Sequence, residues 1–238
     1  MMIPTPGLSR FNVDSRRNFF QKLGFGAALF TTPSVFAEEL SRRTLPRTAA
    51  VEEGPFYPPK LPLDTDNDLI VVNDSITPAI GEITHLSGKL MDSRGEPVRN
   101  ATIEIWSVDS DGVYLADRPN QSSFDANFQG FGRFLTGSSG EYYFRTLKPV
   151  RYPGRQAPHI HFKIKRKGQR PWTTQLFIKG YPGNNRDGVY RRIGDESARN
   201  SVTVDFASIN SSKIGELAAR FDIVLGITAQ DEHSDTNG

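Results

Sequence analysis

Apolar and polar residues alternate in short segments through the middle of the chain, and turn-forming residues separate these segments. Between residues 86 and 90, and again between 101 and 106, apolar residues or glycine occupy alternate positions. The stretch between them, at residues 92–97, contains Asp, Ser, Gly and Pro, which favour turns. A period of two on either side of a turn predicts a β-hairpin.

Further short segments of the same kind follow this hairpin along the chain. Tight turns are predicted at residues 138–140 and 167–168, where glycine follows a polar residue. Strands are also predicted at residues 131–136, 141–147, 159–165, 173–179, 201–204 and 219–225, and a short helix at 207–217. Many short strands with regularly spaced turns are typical of sandwiches and barrels. The sequence therefore predicts an all-β fold, with a β-sandwich or barrel-like core, long loops and little helix.

Composition divides the chain into four predicted parts. Residues 1–37 resemble a signal peptide, residues 38–80 form an N-terminal arm and loop segment, and residues 81–228 hold the β core. The polar tail at residues 229–238 is predicted to be disordered. Within the arm, residues 53–59 contain three prolines, which lack the amide donor that a helix or a central strand needs, so an extended segment is predicted there.

The first part of the chain has the composition of an export signal. The paired Arg16 and Arg17 are followed by aromatic residues, then by a short apolar stretch at residues 23–30 and by small residues up to Ala37. This order is typical of a secretory signal, and the paired arginines favour the twin-arginine route, although an ordinary secretory signal stays open. The apolar stretch is too short and glycine-rich to span a bilayer. We therefore predict a periplasmic or secreted protein with no stable membrane anchor after cleavage.

Charge and composition narrow the classes of function. The formal net charge of +2 comes from the predicted signal peptide, which carries four basic residues and one acidic residue, so the rest of the chain is close to neutral and gives no case for nucleic-acid binding. The basic residues between 163 and 170 are interpreted as the solvated face and end of a strand. Because the chain has no cysteine, disulfides, thiolate nucleophiles and cysteine-based metal sites are excluded. The Gly-x-Ser-x-Gly motif of many hydrolases is also absent.

Two histidines separated by one residue, His159 and His161, lie in a predicted strand. Alternate residues of a strand point to the same face, so both imidazoles can converge on one metal ion, although the pattern also fits two histidines on a polar strand face. Tyr152 lies seven residues before His159, and Tyr114 closes a turn-rich segment. A phenol has an unperturbed pKa of about 10, but binding to Fe(III) deprotonates it. Two phenolates and two neutral imidazoles would leave a ferric site able to accept a catecholate dianion.

Several short motifs occur in this chain in the order found in one enzyme family. They lie at residues 53–58, 86–92, 104–106, 111–114, 127–130, 132–133, 140–146, 148–149, 152–153, 158–162 and 174–176. The chain resembles the intradiol ring-cleavage dioxygenases over about residues 51–185, and particularly the iron-binding type of chain in the protocatechuate 3,4-dioxygenase branch. The ordered set of motifs is far more specific than any one of them.

The resemblance implies a ferric cofactor, Fe(3+), held by four ligands. Tyr114 and His161 would be the equatorial ligands, and Tyr152 and His159 the axial ligands. A catechol would bind through both oxygens, Tyr152 would be displaced and take a proton, and O2 would open the ring to a cis,cis-muconate-type diacid without flavin, nicotinamide or external reductant. Two residues after the axial tyrosine, where the branch often has tryptophan, this chain has Gly154, so a roomier or differently shaped pocket is expected.

The resemblance also implies residues around the substrate. Tyr57, Gln175 and Arg133 are the candidate substrate-binding residues. The family usually has an arginine three residues before the first histidine, but this chain has Gln156 there, with Arg155 one residue earlier. Both are therefore candidate catalytic residues. An amide cannot reproduce the fixed donor fork of a guanidinium, so either Arg155 turns into the site or the rate or preferred substrate differs.

Two other functions are also compatible with the sequence. The strand–turn–strand pattern at residues 83–106 also resembles secreted transthyretin-like or carboxypeptidase-regulatory β-sandwich modules, which bind without catalysis and need none of the tyrosines or histidines. Alternatively, His159 and His161 could hold copper or zinc with one further ligand, which would not require two tyrosines at matching positions. The oligomeric state is also open, because relatives in this branch form assemblies of two chain types, whereas a single exported chain could form a homo-oligomer.

Overall fold

The protein is described by a computed structural model that covers residues 44–73 and 76–226. The predicted signal peptide and the predicted tail at residues 229–238 lie outside the described residues. The export route, the four-part division of the chain and the oligomeric state therefore stay predictions. Within the described ranges, no helix is both long and apolar enough to cross a membrane.

The described residues form two five-stranded β-sheets with a few short helices, which confirms the predicted all-β class. The strands are β1 (Ile83–Met91), β2 (Thr102–Trp106), β3 (Phe131–Leu135), β4 (Glu141–Leu147), β5 (His159–Lys165), β6 (Trp172–Ile178), β7 (Thr203–Val204), β8 (Phe206–Ser208), β9 (Leu217–Arg220) and β10 (Ile223–Val224). The α-helices are α1 (Gly188–Arg192) and α2 (Glu196–Asn200), and short 3-10 helices lie at Leu115–Asn120 and Asn184–Arg186.

The two sheets differ in how their strands pair. In the first sheet, β1 is central: it pairs antiparallel with β4 on one side and parallel with β9 and then β10 on the other, and β8 lies outside β9. The second sheet has the order β3-β2-β5-β6-β7, antiparallel except for the last pair. Apolar residues of both sheets meet in one buried cluster, which includes Leu86, Phe144, Ile103, Ile105, Ile160, Phe162 and Leu176. Each fully buried side chain of this size contributes about 1.5–3 kcal/mol.

The alternation in β5 decides where the functional face lies. Ile160 and Phe162 point into the core between the sheets and are fully buried. The period of two therefore places His159 and His161 on the other, outer face of the second sheet. Both imidazoles are nevertheless buried, because the residues that precede β1 fold over that face.

This covering segment, residues 49–57, contains neither helix nor strand, but the structure has a turn at Pro55 and Phe56 after Gly54 (φ +71°), so the segment is not extended throughout as expected. It is held along β6 by hydrogen bonds: the amide of Val51 donates to the carbonyl of Thr173 (3.0 Å), and the Gln175 side chain donates to the carbonyl of Glu52 (2.9 Å). Its aromatic residue Phe56 packs in a small cluster on the outer face of the second sheet. The segment therefore forms a roof over the histidines.

The helix predicted at residues 207–217 is wrong. The structure has instead a hairpin of β8 and β9, in which Ser208 pairs with Leu217 and the amide of Ile209 donates to the carbonyl of Glu216 (2.9 Å). Gly215 supplies the positive φ of +78° that the connection needs. In β9 buried and exposed residues alternate, and the strand pairs with β1, so the sheet edge rather than local helix propensity decides the structure.

Candidate metal centre

The four predicted ligands meet at one point on the outer face of the second sheet. The hydroxyl oxygen of Tyr114 lies 3.1 Å from Nε2 of His159 and 3.0 Å from Nε2 of His161. The ring of Tyr152 meets that of Tyr114 edge-on at a centroid distance of 5.1 Å and lies 5.8 Å from that of His159. Two histidines and two tyrosines from three separate parts of the chain therefore lie together. Their role as metal ligands stays a prediction.

A tight turn brings Tyr114 into the cluster. The buried carboxylate of Asp109 accepts hydrogen bonds from the amides of Asp111 (3.0 Å) and Val113 (2.9 Å), which closes the turn just before Tyr114. Gly112, at φ +82°, packs so tightly against the chain that a Cβ there would lie 3.0 Å from the carbonyl oxygen of Arg151. The glycine thus lets the loop of Tyr114 approach the loop of Tyr152.

Aromatic packing fixes the orientation of the two phenols. The ring of Phe56, from the covering segment, stacks on Tyr114 at a centroid distance of 4.5 Å and meets Tyr152 edge-on at 5.8 Å. The ring of Trp106 stacks on His161 at 4.7 Å with an interplanar angle of 8°. Tyr114 and both histidines are at most 2% exposed, so the cluster is shielded from water apart from Tyr152.

Hydrogen bonding sets the tautomer of one histidine. Nδ1 of His159 lies 2.7 Å from the carbonyl oxygen of Ala157, and because a carbonyl can only accept, Nδ1 carries the proton. The lone pair of His159 is therefore on Nε2, which faces Tyr114. An imidazole held by a backbone carbonyl in this way is the usual arrangement of a metal-bound histidine.

Burial controls the protonation of the whole cluster. It lowers the pKa of His159 to about 3, with a further contribution from Arg155, and it lowers the pKa of His161 well below its usual value. Burial also raises the pKa of Tyr114 well above its usual value, and the neighbouring Tyr152 adds to this effect. The imidazoles are thus neutral and ready to bind a cation. The phenols become ligands when a cation displaces their protons.

The donor set fits a ferric ion. Imidazole binds iron, copper and zinc, and phenolate is a known ligand of ferric iron. Within the part of the chain that the structure describes, no group of three or more His, Asp or Glu side chains could hold a metal instead. A copper or zinc site built on His159 and His161 would not require the two phenols of Tyr114 and Tyr152 that lie beside them.

Arg155, and not Gln156, faces the cluster. Its Nη1 lies 3.2 Å from Nε2 of His159, its Nη2 donates to Oε1 of Gln175 (3.0 Å) and its Nε donates to Asp187 (2.9 Å). Gln156 is exposed and does not line the adjoining pocket. The structure thus places the Arg155 side chain beside the cluster and the Gln156 side chain at the surface, and the catalytic roles of both residues stay predictions.

A pocket of about 260 Å³ adjoins the cluster. Its walls come from the covering segment on one side, the loop around Tyr152 on the second and α1 on the third; among the lining residues are Phe56, Tyr152, Gly154, Gln175 and Val189. A Cβ at Gly154 would meet nothing within 4 Å, in keeping with the open wall expected there. A larger cavity of about 630 Å³ lies elsewhere on the chain and contains none of the predicted ligands.

Two of the predicted substrate-binding residues lie outside this pocket. The hydroxyl of Tyr57 donates to Oε2 of Glu104 (2.9 Å), and Arg133 donates to Oε1 of the same carboxylate (2.8 Å). Glu104 is fully buried and does not line the pocket. The buried carboxylate engages both polar groups, so the structure does not bring Tyr57 and Arg133 together with the metal cluster, whereas Gln175 does line the pocket.

Known proteins that are similar to this chain are dioxygenases. A family model described as dioxygenase matches residues 52–226, which is most of the chain. The similar proteins include the protocatechuate 3,4-dioxygenase beta chain of Burkholderia cepacia, 33% identical over 156 residues, covering 61% of this chain and 65% of that protein. The chain belongs to the intradiol ring-cleavage dioxygenases.

Other members of this family match over similar lengths. The hydroxyquinol 1,2-dioxygenase of Corynebacterium glutamicum is 28% identical over 203 residues, covering 75% of this chain and 63% of that protein. The chain thus spans just under two thirds of the length of these relatives. Among solved structures, the dioxygenase domain of a dioxygenase carbohydrate-binding protein fusion from Streptomyces sp. SirexAA-E is 26% identical, with a TM-score of 0.59, and covers 77% of this chain and 100% of that one.

Sequence reasoning missed the residues that position the site of this intradiol dioxygenase. Asp187 is 1% exposed, and its carboxylate accepts from Arg155 and from the amides of Gln156 and Ala157, and also caps α1 at Val189 and Tyr190. One side chain therefore ties the loop before His159 to the helix that walls the pocket. An aspartate before a short helical stretch is a signal for a helix cap, but the loop contact has no local signal.

We expect Asp187→Asn to destabilise the protein at neutral pH and to make its free energy of unfolding depend less on pH between 4 and 2. Burial raises the pKa of Asp187, but hydrogen bonds from Arg155 and from backbone amides outweigh burial and lower it to about 2. Its contribution to stability is thus present above the ordinary carboxyl pKa of about 4 and is lost as the pH falls towards 2. At neutral pH the loss should be about 3 kcal/mol, measured by urea unfolding.

The difference between Asp187→Asn and the wild type should shrink between pH 4 and pH 2. Asp195→Asn is the matched control, because Asp195 also caps a short helix, α2, but contacts no residue of the metal cluster. A free energy of unfolding that differs equally from that of the wild type at pH 7 and pH 2.5 would contradict the assigned role of Asp187.

Proposed function

We propose that the protein is a non-haem Fe(III) dioxygenase that cleaves a catechol-type ring between its two hydroxyl-bearing carbons. One observation carries the proposal: the hydroxyl of Tyr114 lies within hydrogen-bond length of two imidazole nitrogens, and the ring of Tyr152 packs beside them and lines, with His161, a pocket of about 260 Å³. The family of the chain supports the reaction class. One molecule of catechol and one of O2 would give one cis,cis-muconate-type diacid, so all four oxygen atoms remain in the product and no external reductant is consumed.

Ferric iron, when bound, would act as Lewis acid and template and make a ring carbon of the catecholate reactive towards O2. The protein's own part is to bind, orient and deprotonate the substrate. Tyr152 is the half-buried member of the cluster and lines the pocket, so its phenolate oxygen is placed to take a proton from an incoming catechol hydroxyl. A phenol and a catechol hydroxyl have similar pKa values, which makes this proton transfer nearly balanced.

Arg155 and the apolar walls complete the site. The guanidinium is fixed by Asp187 and Gln175 beside His159, where it can donate to negative charge that develops on substrate oxygen. Phe56 and Val189 line the pocket, so the substrate ring packs between apolar side chains and water is excluded from it. These residues bind and orient the ring but donate no proton to it.

The test is oxygen uptake by iron-loaded protein with a panel of catechol, hydroxyquinol, protocatechuate, gallate and chlorocatechols. We expect one O2 consumed per catechol and a diacid product, whose ultraviolet spectrum differs from that of the semialdehyde formed by cleavage outside the diol. Zinc-loaded protein is the control and should consume no O2. A colourless protein that binds no iron and takes up no oxygen with any of these compounds would support the β-sandwich binding module instead.

A further inference from the structure

The charges around the pocket are few and unevenly placed. Of the residues that line it, only Glu52 and Arg155 carry a formal charge. The remaining walls are aromatic, aliphatic, glycine or neutral polar groups. A charged substituent on the substrate ring would therefore have to interact with one of these two side chains or with a residue at the rim.

Three of the five N–H donors of Arg155 already have partners, and its positive charge is already balanced. Its side chain is 11% exposed, and its three nitrogens face the carboxylate of Asp187, the amide oxygen of Gln175 and Nε2 of His159. Its charge is balanced by Asp187, which is 1% exposed. A ring carboxylate that met the two remaining N–H donors of Arg155 would add a second negative charge beside Asp187, so the pair offers no uncompensated positive charge to attract it.

The second charged residue that lines the pocket is Glu52, which pairs with Arg192; these two residues are called the rim pair. The carboxylate of Glu52 lies 3.3 Å from Nη2 of Arg192, on the last turn of α1, and both side chains are more than half exposed. Val189 and Glu52 also border a smaller adjoining cavity of about 140 Å³, which Arg192 lines, so the pair stands at the outer end of the pocket. In this arrangement the charge of Arg192 is already paired with Glu52, and Glu52 is the acidic residue among the described residues that line the pocket.

We propose that the pocket selects catechols whose ring substituent is uncharged and discriminates against those that carry a ring carboxylate, with Glu52 as a specificity-determining residue. This inference rests on the proposed function, because it names the substrate class of the same site. A ring carboxylate would leave water for a pocket without a free cation among its described lining residues, and it would approach a like charge. A hydroxyl, methyl or chlorine substituent meets neither penalty.

The experiment compares two substrates of the same shape and different charge, 3,4-dihydroxybenzamide and 3,4-dihydroxybenzoate. With iron-loaded protein, we expect kcat/KM for the amide to exceed that for the acid by about tenfold or more. Equilibrium binding of both compounds without O2, followed by calorimetry, should show the same preference in Kd. This second readout does not depend on turnover.

Variants of the rim pair test the cause. Glu52→Gln should reduce the amide-to-acid ratio by about two- to fivefold, since an exposed charge acts only weakly, and Arg192→Gln should increase the ratio. Both changes should shrink in high salt. Glu53→Gln is the matched control: Glu53 adjoins Glu52 but pairs with Lys163 and does not line the pocket, so it should leave the ratio unchanged.

The outcomes separate the inference from the proposed function. If no catechol is cleaved but the amide still binds more tightly than the acid, the proposed function fails and the charge selection stands. If the ring is cleaved and the acid is used as well as the amide, the selection is overturned and the function stands. A preference for the amide that neither Glu52→Gln nor Arg192→Gln alters would also overturn the assignment to Glu52.

Discussion

Tyr114→Phe is expected to abolish tight iron binding and to reduce ring cleavage by more than about 100-fold. Loss of a residue that merely orients a metal ligand already costs about 10–100-fold, and Tyr114 is placed as a ligand itself. Its hydroxyl is the group that lies within 3.1 Å of both imidazole nitrogens, so no neighbouring side chain is placed to substitute for it. Phenylalanine keeps the ring that stacks on Phe56, so the fold should survive.

The measurements are iron content after loading and the visible absorption band that a phenolate bound to Fe(III) produces. Tyr142→Phe is the matched control, because Tyr142 is equally buried and its hydroxyl donates to the carbonyl of Phe221, within the core and away from the cluster. The control should bind one iron and keep its colour. If Tyr114→Phe retains stoichiometric iron with an unchanged band, Tyr114 is not a ligand and the proposed centre is wrong.

The alternation of apolar and polar residues predicted most of the fold because the two sheets bury one face each. In β5 every second residue is an apolar core residue, so the strand could be placed to the residue from the sequence. The hairpin of β8 and β9 was missed since β9 is a short strand of mixed residues, whose structure depends on pairing with β1, more than 100 positions earlier in the chain. Contacts over such a separation leave no local periodicity.

In the candidate site, too, features set by neighbouring residues could be predicted from the sequence, and features set by distant residues could not. The shared face of His159 and His161 could be predicted from the sequence, since residues two apart on a strand point to the same side, whereas Tyr114 and Tyr152 were candidates because of the resemblance to the family. The choice between Arg155 and Gln156 could not be made, because Asp187 decides it from 31 or more residues away. The placement of Tyr57 was missed for the same reason: its partner Glu104 looks like an ordinary outward-facing residue of β2.

Glu104→Gln is expected to destabilise the protein by about 3–5 kcal/mol, measured by urea unfolding. The carboxylate is fully buried and accepts from Lys165 (2.9 Å), Arg133 (2.8 Å) and the hydroxyl of Tyr57 (2.9 Å). Burial raises the pKa of Glu104, but the hydrogen bonds from these three partners outweigh it and leave the pKa below its ordinary value. The group is therefore ionised at neutral pH, and a neutral amide would leave two cations without their counter-charge.

Glu104→Gln should destabilise the protein more than the same substitution at an exposed glutamate. Glu141→Gln, on the exposed face of β4, is this control and should change stability by less than about 0.5 kcal/mol. Because Tyr57 follows Phe56 in the covering segment, loss of its hydrogen bond to Glu104 should also loosen the packing of Phe56 on Tyr114. Iron should therefore dissociate faster from Glu104→Gln than from the wild type.

The double variant Glu104→Gln with Arg133→Gln should lose less stability than the two single losses combined, since the second change removes a charge that the first leaves unpaired. Strictly additive losses would show that Glu104 and Arg133 are not energetically coupled, contrary to the paired charges in the structure.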